Sequence, residues 1–145
     1  VGKWSILDLY NLYFMGGEVM DSNIVWTVND YFDGCKIGVA DYENIHCIYE
    51  RIFNEEKDDW TNNYFLTPIS QSDFSLIISD WERWKEWHKN FDNGKQQDTF
   101  VSKVNLESIS LSSNEYRKKI CRGTFSSGNW AYCDNMKVKW SNPTK

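Results

Sequence analysis

The sequence predicts an α+β fold: an antiparallel β-sheet packed against one long central amphipathic helix, with a short second helix and a C-terminal β-hairpin. Three observations carry this. The stretch from Ser70 to Phe91 places Phe74, Ile77, Ile78, Trp81, Trp84, His88 and Phe91 at three- and four-residue steps, which is one face of a helix. The stretches on either side are rich in β-branched and aromatic residues broken by turn clusters. At the end, Met136, Val138 and Trp140 alternate with Lys137 and Lys139, the pattern of a strand with one buried and one wet face.

Taken in order, residues 4–15 read as a strand ended by Gly16-Gly17, and residues 18–28 as a second strand centred on Ile24 to Val28. Asn29 to Gly34 has turn chemistry at both ends. Residues 36–40 and 45–53 then form a hairpin about a loop at Asp41 to Asn44. Asn54 to Asp59 reads as a hydrophilic loop and Asn63 to Thr67 as a short strand leading through Pro68 into the helix. Ser70 is its expected N-cap, with Asp73 in capping-box position, and Asn93-Gly94 its left-handed stop. Val104 to Ile109 is strand or loop. Ser112 or Ser113 caps a short helix with Glu115 to Ile120 as its body, and residues 124–140 form the closing hairpin.

At 145 residues the chain is read as a single domain, 1–145, which buries about 70% of the surface its unfolded form exposes. No apolar run approaches the roughly 20 residues that span a bilayer, so no membrane association is expected. No cationic segment leads into an apolar one, which makes the cytoplasm the expected compartment. Residues 1–60 hold 4 Lys/Arg against 12 Asp/Glu, a net of −8, while residues 61–145 hold 12 against 9, a net of +3. An acidic first half argues against a nucleic acid and is compatible with a basic protein partner.

The four cysteines at 35, 47, 121 and 133 form no C-x-x-C, and only two histidines are present. Neither a metal site nor a cofactor is expected, and buried thiols are the expected state. Eight each of Trp, Tyr and Phe make 17% of the chain. Most should fill the core, and those left outside are candidate anchors, since Trp and Tyr are enriched at interface hot spots.

Two kinds of site follow from the residues. His46 and Glu50 lie four apart on one strand, about 13 Å by strand rise, and Asp33 and Asp41 flank the preceding strand within reach of His46 across the hairpin. A His–carboxylate pair there would work as general acid and base near neutral pH, and the competing assignment is a hydrogen-bonded histidine at a sheet surface. The other kind is a binding surface built from Asp30, Tyr31, Asp33, Asp58, Asp59 and Trp60. The acidic loop lacks the spacing of a calcium loop, and no nucleotide, P-loop or zinc-protease motif occurs.

The run from Asn29 to Tyr42, then His46-Cys47-Ile48-Tyr49-Glu50, an acidic loop, Leu66-Thr67-Pro68 and the tryptophans 81, 84 and 87 resembles a pattern of small uncharacterised bacterial proteins, roughly D-Y-x-D-G-P-R-x-G-I-A-x-Y … H-x-Y-E followed by W-x-x-W-x-x-W. The likeness covers residues 29–91 and departs where Cys35-Lys36 replaces Pro-Arg. It implies an architecture and no activity. The function expected from the residues is that of a small acidic protein-binding protein, immunity- or inhibitor-like. An enzyme using His46 with Asp33, Asp41 or Glu50, and a carbohydrate-binding module with exposed indoles, are the alternatives.

Overall fold

The computed structural model describes residues 22–95, 98–112 and 118–144, and these residues form a curled antiparallel sheet of seven strands with two helices. The strands are β1 (Asn23–Ile24), β2 (Asp30–Tyr31), β3 (Cys35–Tyr42), β4 (Ile45–Asn54), β5 (Asp59–Pro68), β6 (Lys119–Phe125) and β7 (Lys137–Ser141), in the order β1-β7-β6-β5-β4-β3-β2. The two edge strands belong to one stretch of chain. Residues 23–24 pair with β7, and residues 25–31 then run beside β3, with Trp26 and Thr27 both donating to the Val39 carbonyl and Asn29 to that of Ile37. The sheet therefore curls until its two ends meet in this segment, and neither edge is left as a long unpaired template.

The inside of the curl holds Tyr49, Tyr64, Trp140, Leu66, Val138, Ala40 and Met136, all buried. Two buried phenols span it. Tyr49 Oη donates to the Thr27 carbonyl at 2.9 Å and Tyr64 Oη to the Cys35 carbonyl at 2.8 Å. Gly38 is required here, because a Cβ would lie 2.2 Å from the Thr27 carbonyl oxygen and 2.5 Å from Tyr49 Oη.

Helix α1 (Gln71–Asp92) begins as its sequence implies, with Ser70 Oγ accepting from Asp73 N at 3.1 Å, and Gly94 takes the left-handed φ of 72° after it. Its inner face carries Ile77, Asp80 and Trp81, while Glu82, Arg83, Glu86 and Lys89 face water. Ile77 packs with Val39 and Ile48 on the outer face of the curl. Trp81 joins the cluster of the inner core, with Trp84 packed against it. The helix thus meets the sheet along one stripe rather than being enclosed by it. Leu76 stands out from the helix at 57% exposed.

Several sequence expectations need correction. The loop expected at 41–44 is a two-residue turn at Glu43-Asn44, with φ of 46° and 68°, the geometry that matches the twist of paired strands. Asp41 therefore sits on β3, opposite His46. The loop at 54–59 closes tightly at 55–58, with Asn54 Oδ1 accepting from Lys57 N, so β5 begins at Asp59 rather than Asn63. Of the strand expected over 18–28, residues 18–21 lie outside the described residues, and the rest is β1 and a run of bonds to β3, because the chain must cross from β7 to β3 within a few residues. A short helix, α2 (Leu106–Ser112), stands where strand or loop was expected over Val104 to Ile109, and Asn105 caps it by accepting from Ser108 N at 2.9 Å; of the helix expected at Glu115 to Ile120, residues 115–117 lie outside the described residues. Lys119 and Ile120 open β6, so the closing hairpin expected over 124–140 pairs β6, which begins before it, with β7 at Lys137–Ser141. The strand expected at 4–15 lies outside the described residues.

Candidate functional site

The proposed anchors fall on one side of the molecule, at the end of the sheet away from the Glu43-Asn44 turn. Asp33 and Gly34 turn the chain between β2 and β3 with φ of 51° and 123°. Arg51 holds that turn down, donating from Nη1 to the Asp33 carbonyl at 2.9 Å and from Nε to the Thr61 carbonyl at 2.7 Å. With its carbonyl so occupied, Asp33 presents its carboxylate outward and exposed. Asp58, with φ of 50°, is exposed at the tip of the β4–β5 hairpin, and Asp59 accepts from Trp60 N at its base.

Lys36 ties the two halves together. Its Nζ is 3.3 Å from Asp30 Oδ2 and 5.2 Å from the centroid of the Trp60 ring. Trp60 in turn meets Phe53 edge-on at 5.0 Å, and Tyr31 stacks on Trp130 at 4.9 Å and 14°. Tyr31 (43%), Phe32 (64%), Phe53 (38%) and Trp130 (41%) are exposed large hydrophobics, so aromatic surface is interleaved with carboxylates across this side. Phe32, Phe53, Lys36 and Trp130 were not among the anchors named from the sequence. Trp130 is unreadable there because nearly a hundred residues separate it from Tyr31, whereas Phe53 could have been found, since it flanks the same acidic turn as Trp60.

Beside this surface a cleft of about 580 Å³ opens between β2, α1 and residues 100–107. Asp30 and Tyr31 form one wall, Trp81, Trp84 and Asp80 another. Asp80 is buried and satisfied, accepting from Arg83 Nη1 at 2.8 Å, Ser102 Oγ at 2.6 Å and Lys103 N at 2.9 Å. It fastens the 100–105 segment to the helix. A second groove, of about 810 Å³, runs along the hairpin tip from Phe53 to Asn63 and reaches Arg122.

The histidine site divides differently from the sequence expectation. His46 Nδ1 lies 2.5 Å from Asp41 Oδ1, and the same oxygen accepts from Trp26 Nε1 at 2.8 Å. The imidazole stacks on Phe74 at 3.7 Å, with Trp26 edge-on to both rings. Asp41 thus holds one tautomer of His46, the arrangement that leaves Nε2 as the second functional nitrogen. Glu50 is elsewhere, accepting from Ser110 Oγ, which also contacts Thr67 Oγ1 at 3.2 Å. Asp33 belongs to the other site, stapled by Arg51. Of the three carboxylates considered, only Asp41 joins His46.

His88 is a packed residue, stacked on Trp84 at 4.8 Å with Nδ1 3.0 Å from Tyr132 Oη. Burial pushes the Cys35 and Cys121 thiols up to about 11 and that of Cys133 to about 12, which leaves them protonated and poorly nucleophilic. No grouping of three or more metal-ligating side chains occurs among the described residues, and no helix among them is long and apolar enough to cross a membrane. No family model, curated protein or solved structure matches the chain.

Proposed function

We propose that this protein binds a basic protein partner, in the manner of an immunity or inhibitor protein, through the acidic and aromatic side that runs from Trp130 and Tyr31 past Asp30 and Lys36 to Trp60, Phe53 and the carboxylates of the hairpin tip. The observation that supports this best is the position of the Lys36 ammonium against both Asp30 and Trp60, which makes one continuous surface of residues drawn from two separate turns. Exposed aromatics supply the area that holds a complex once formed, and the surrounding carboxylates steer a cationic surface toward it. Glu55, Glu56, Asp58 and Asp59 against the single Lys57 give the tip the sign that repels a phosphate backbone. The buried thiols suit a reducing compartment such as the cytoplasm.

The test is affinity capture from a native lysate with two baits, the natural chain and an Asp58→Lys/Asp59→Lys/Trp60→Ala variant. A basic protein retained by the first and lost by the second is the expected result, and retention by both would remove this surface from the function.

A second reading, hydrolytic or acid–base catalysis at His46, has the 2.5 Å Asp41 contact in its favour. Against it, one face of the imidazole is covered by Phe74. No hydroxyl or thiol among the described residues is hydrogen-bonded to the ring. The carbohydrate reading asks for a coplanar row of exposed indoles, and of the described tryptophans only Trp130 is exposed.

A further inference from the structure

The cleft between β2, α1 and residues 100–107 has a chemistry of its own. Two stacked pairs line it, Tyr31 on Trp130 and Trp81 on Trp84, the latter at 4.9 Å and 15°. The indole N–H groups of Trp26, Trp87 and Trp140 all donate to protein oxygens. Those of Trp81, Trp84 and Trp130 donate to no described residue, and the Trp81 and Trp84 N–H groups are not sealed from solvent. The cleft therefore offers aromatic faces, which attract a cation, together with N–H groups open to an acceptor.

The charge of the cleft points the same way. The exposed Glu107 stands on its wall beside Asp30, which is shared with Lys36, while Asp80 is already taken up by Arg83, Ser102 and Lys103, and the protein already rests one guanidinium on this lining, that of Arg83, 5.2 Å from the centroid of Phe100. A guanidinium is flat and weakly hydrated, so it stacks on aromatic faces at low desolvation cost. Its volume of about 580 Å³ lies within the range of sites for small ligands, about 300–1,000 Å³, and accommodates one long side chain with its flanking backbone.

Resting on the reading that the neighbouring surface binds a basic protein, we infer that this cleft takes an arginine side chain carried on a peptide segment of that partner. The guanidinium lies against the tryptophans beside Asp30 and Glu107, and backbone carbonyls of the segment accept from the indole N–H groups.

The experiment is an NMR titration of the ¹⁵N-labelled protein, following tryptophan indole resonances. The probes are a short glycine–serine peptide bearing one central arginine and the same peptide with citrulline, the neutral isostere. The arginine peptide should move the Trp81, Trp84 and Trp130 signals and leave Trp140 in place. Citrulline should weaken binding about tenfold or more, the scale of a desolvated cation–aromatic contact. Trp130→Ala, at an exposed position, should weaken the arginine peptide similarly without shifting the urea midpoint, and Glu107→Gln should do so to a smaller extent. Equal response to the two peptides, unmoved indole signals, or movement confined to Trp60 would overturn the inference. Should a captured partner depend on Trp60 and Asp58 yet bind the Trp130→Ala variant with unchanged affinity, the arginine pocket falls while the binding surface stands. Loss of the surface reading would show instead as indifference to Trp60.

Discussion

Asp41 accepts two hydrogen bonds on one oxygen, from an indole and from an imidazole, and both rings pack against Phe74 at the start of the long helix. One carboxylate so placed fixes two side chains of the sheet and, through them, the approach of the helix. Replacing it by Ala leaves both donors without an acceptor in a half-buried setting and should cost about 1–3 kcal/mol, read as a lower urea midpoint with an unchanged slope. A midpoint that does not move would mean that the ring cluster is packing alone. Asp41 and His46 both came from the sequence, as flanks of a hairpin. What it did not reveal is that Glu43 and Asn44 suffice for the turn, because two successive residues at positive φ without a glycine are unusual.

At the scale of elements, the helix was the most legible part, since its apolar spacing, its Ser70 cap and its glycine stop are all local. Truncating Trp81 to Ala should cost about 3–5 kcal/mol, because it is the one large helix side chain that enters the inner core. A loss below about 1 kcal/mol in chemical denaturation would show that the helix is only lightly attached. Helix α2 was read as strand or loop because seven residues are too few to show a helical period, and the packing of Leu106 and Ile109 against Val39 and Ile48 decides the matter. Likewise the acidic loop was read as longer than it is: its charges mark solvent exposure, but the pairing of Asp59 with Asn54 is set by the strands beneath. The anchors Asp30, Tyr31 and Trp60 were legible as polar and aromatic residues flanking turns, whereas their meeting around Lys36 is a product of curvature that no local pattern encodes.

For the whole molecule, the closing of the sheet concentrates aromatic rings and thiols in a narrow interior, and two predictions belong there. Gly38→Ala should destabilise the protein by about 1–3 kcal/mol or more, since a methyl group has no room between the Thr27 carbonyl and Tyr49. A neutral result would mean that the 25–29 segment is free to lift off. The second concerns pH. Burial raises Cys35 and Cys121 to about 11 and Cys133 to about 12 from an ordinary value of 9.0, so unfolding releases protons above that value. Stability from these groups is complete below pH 9.0 and is lost as pH rises from there toward about 11 or 12. Urea midpoints at successive alkaline pH values should fall, and changing Cys121 to Ala should shallow that fall.

The central claim is that the side bearing Tyr31, Trp60 and the hairpin-tip carboxylates meets a basic partner, and binding kinetics with the captured partner at two ionic strengths test it most directly. Steering by exposed charge is screened by salt, so association should slow as salt rises. Asp58→Lys with Asp59→Lys should slow association while leaving dissociation nearly unchanged. Trp60→Ala should do the reverse, speeding dissociation about tenfold or more. Association that is indifferent to salt and to both charge reversals, with dissociation unchanged by Trp60→Ala, would contradict it.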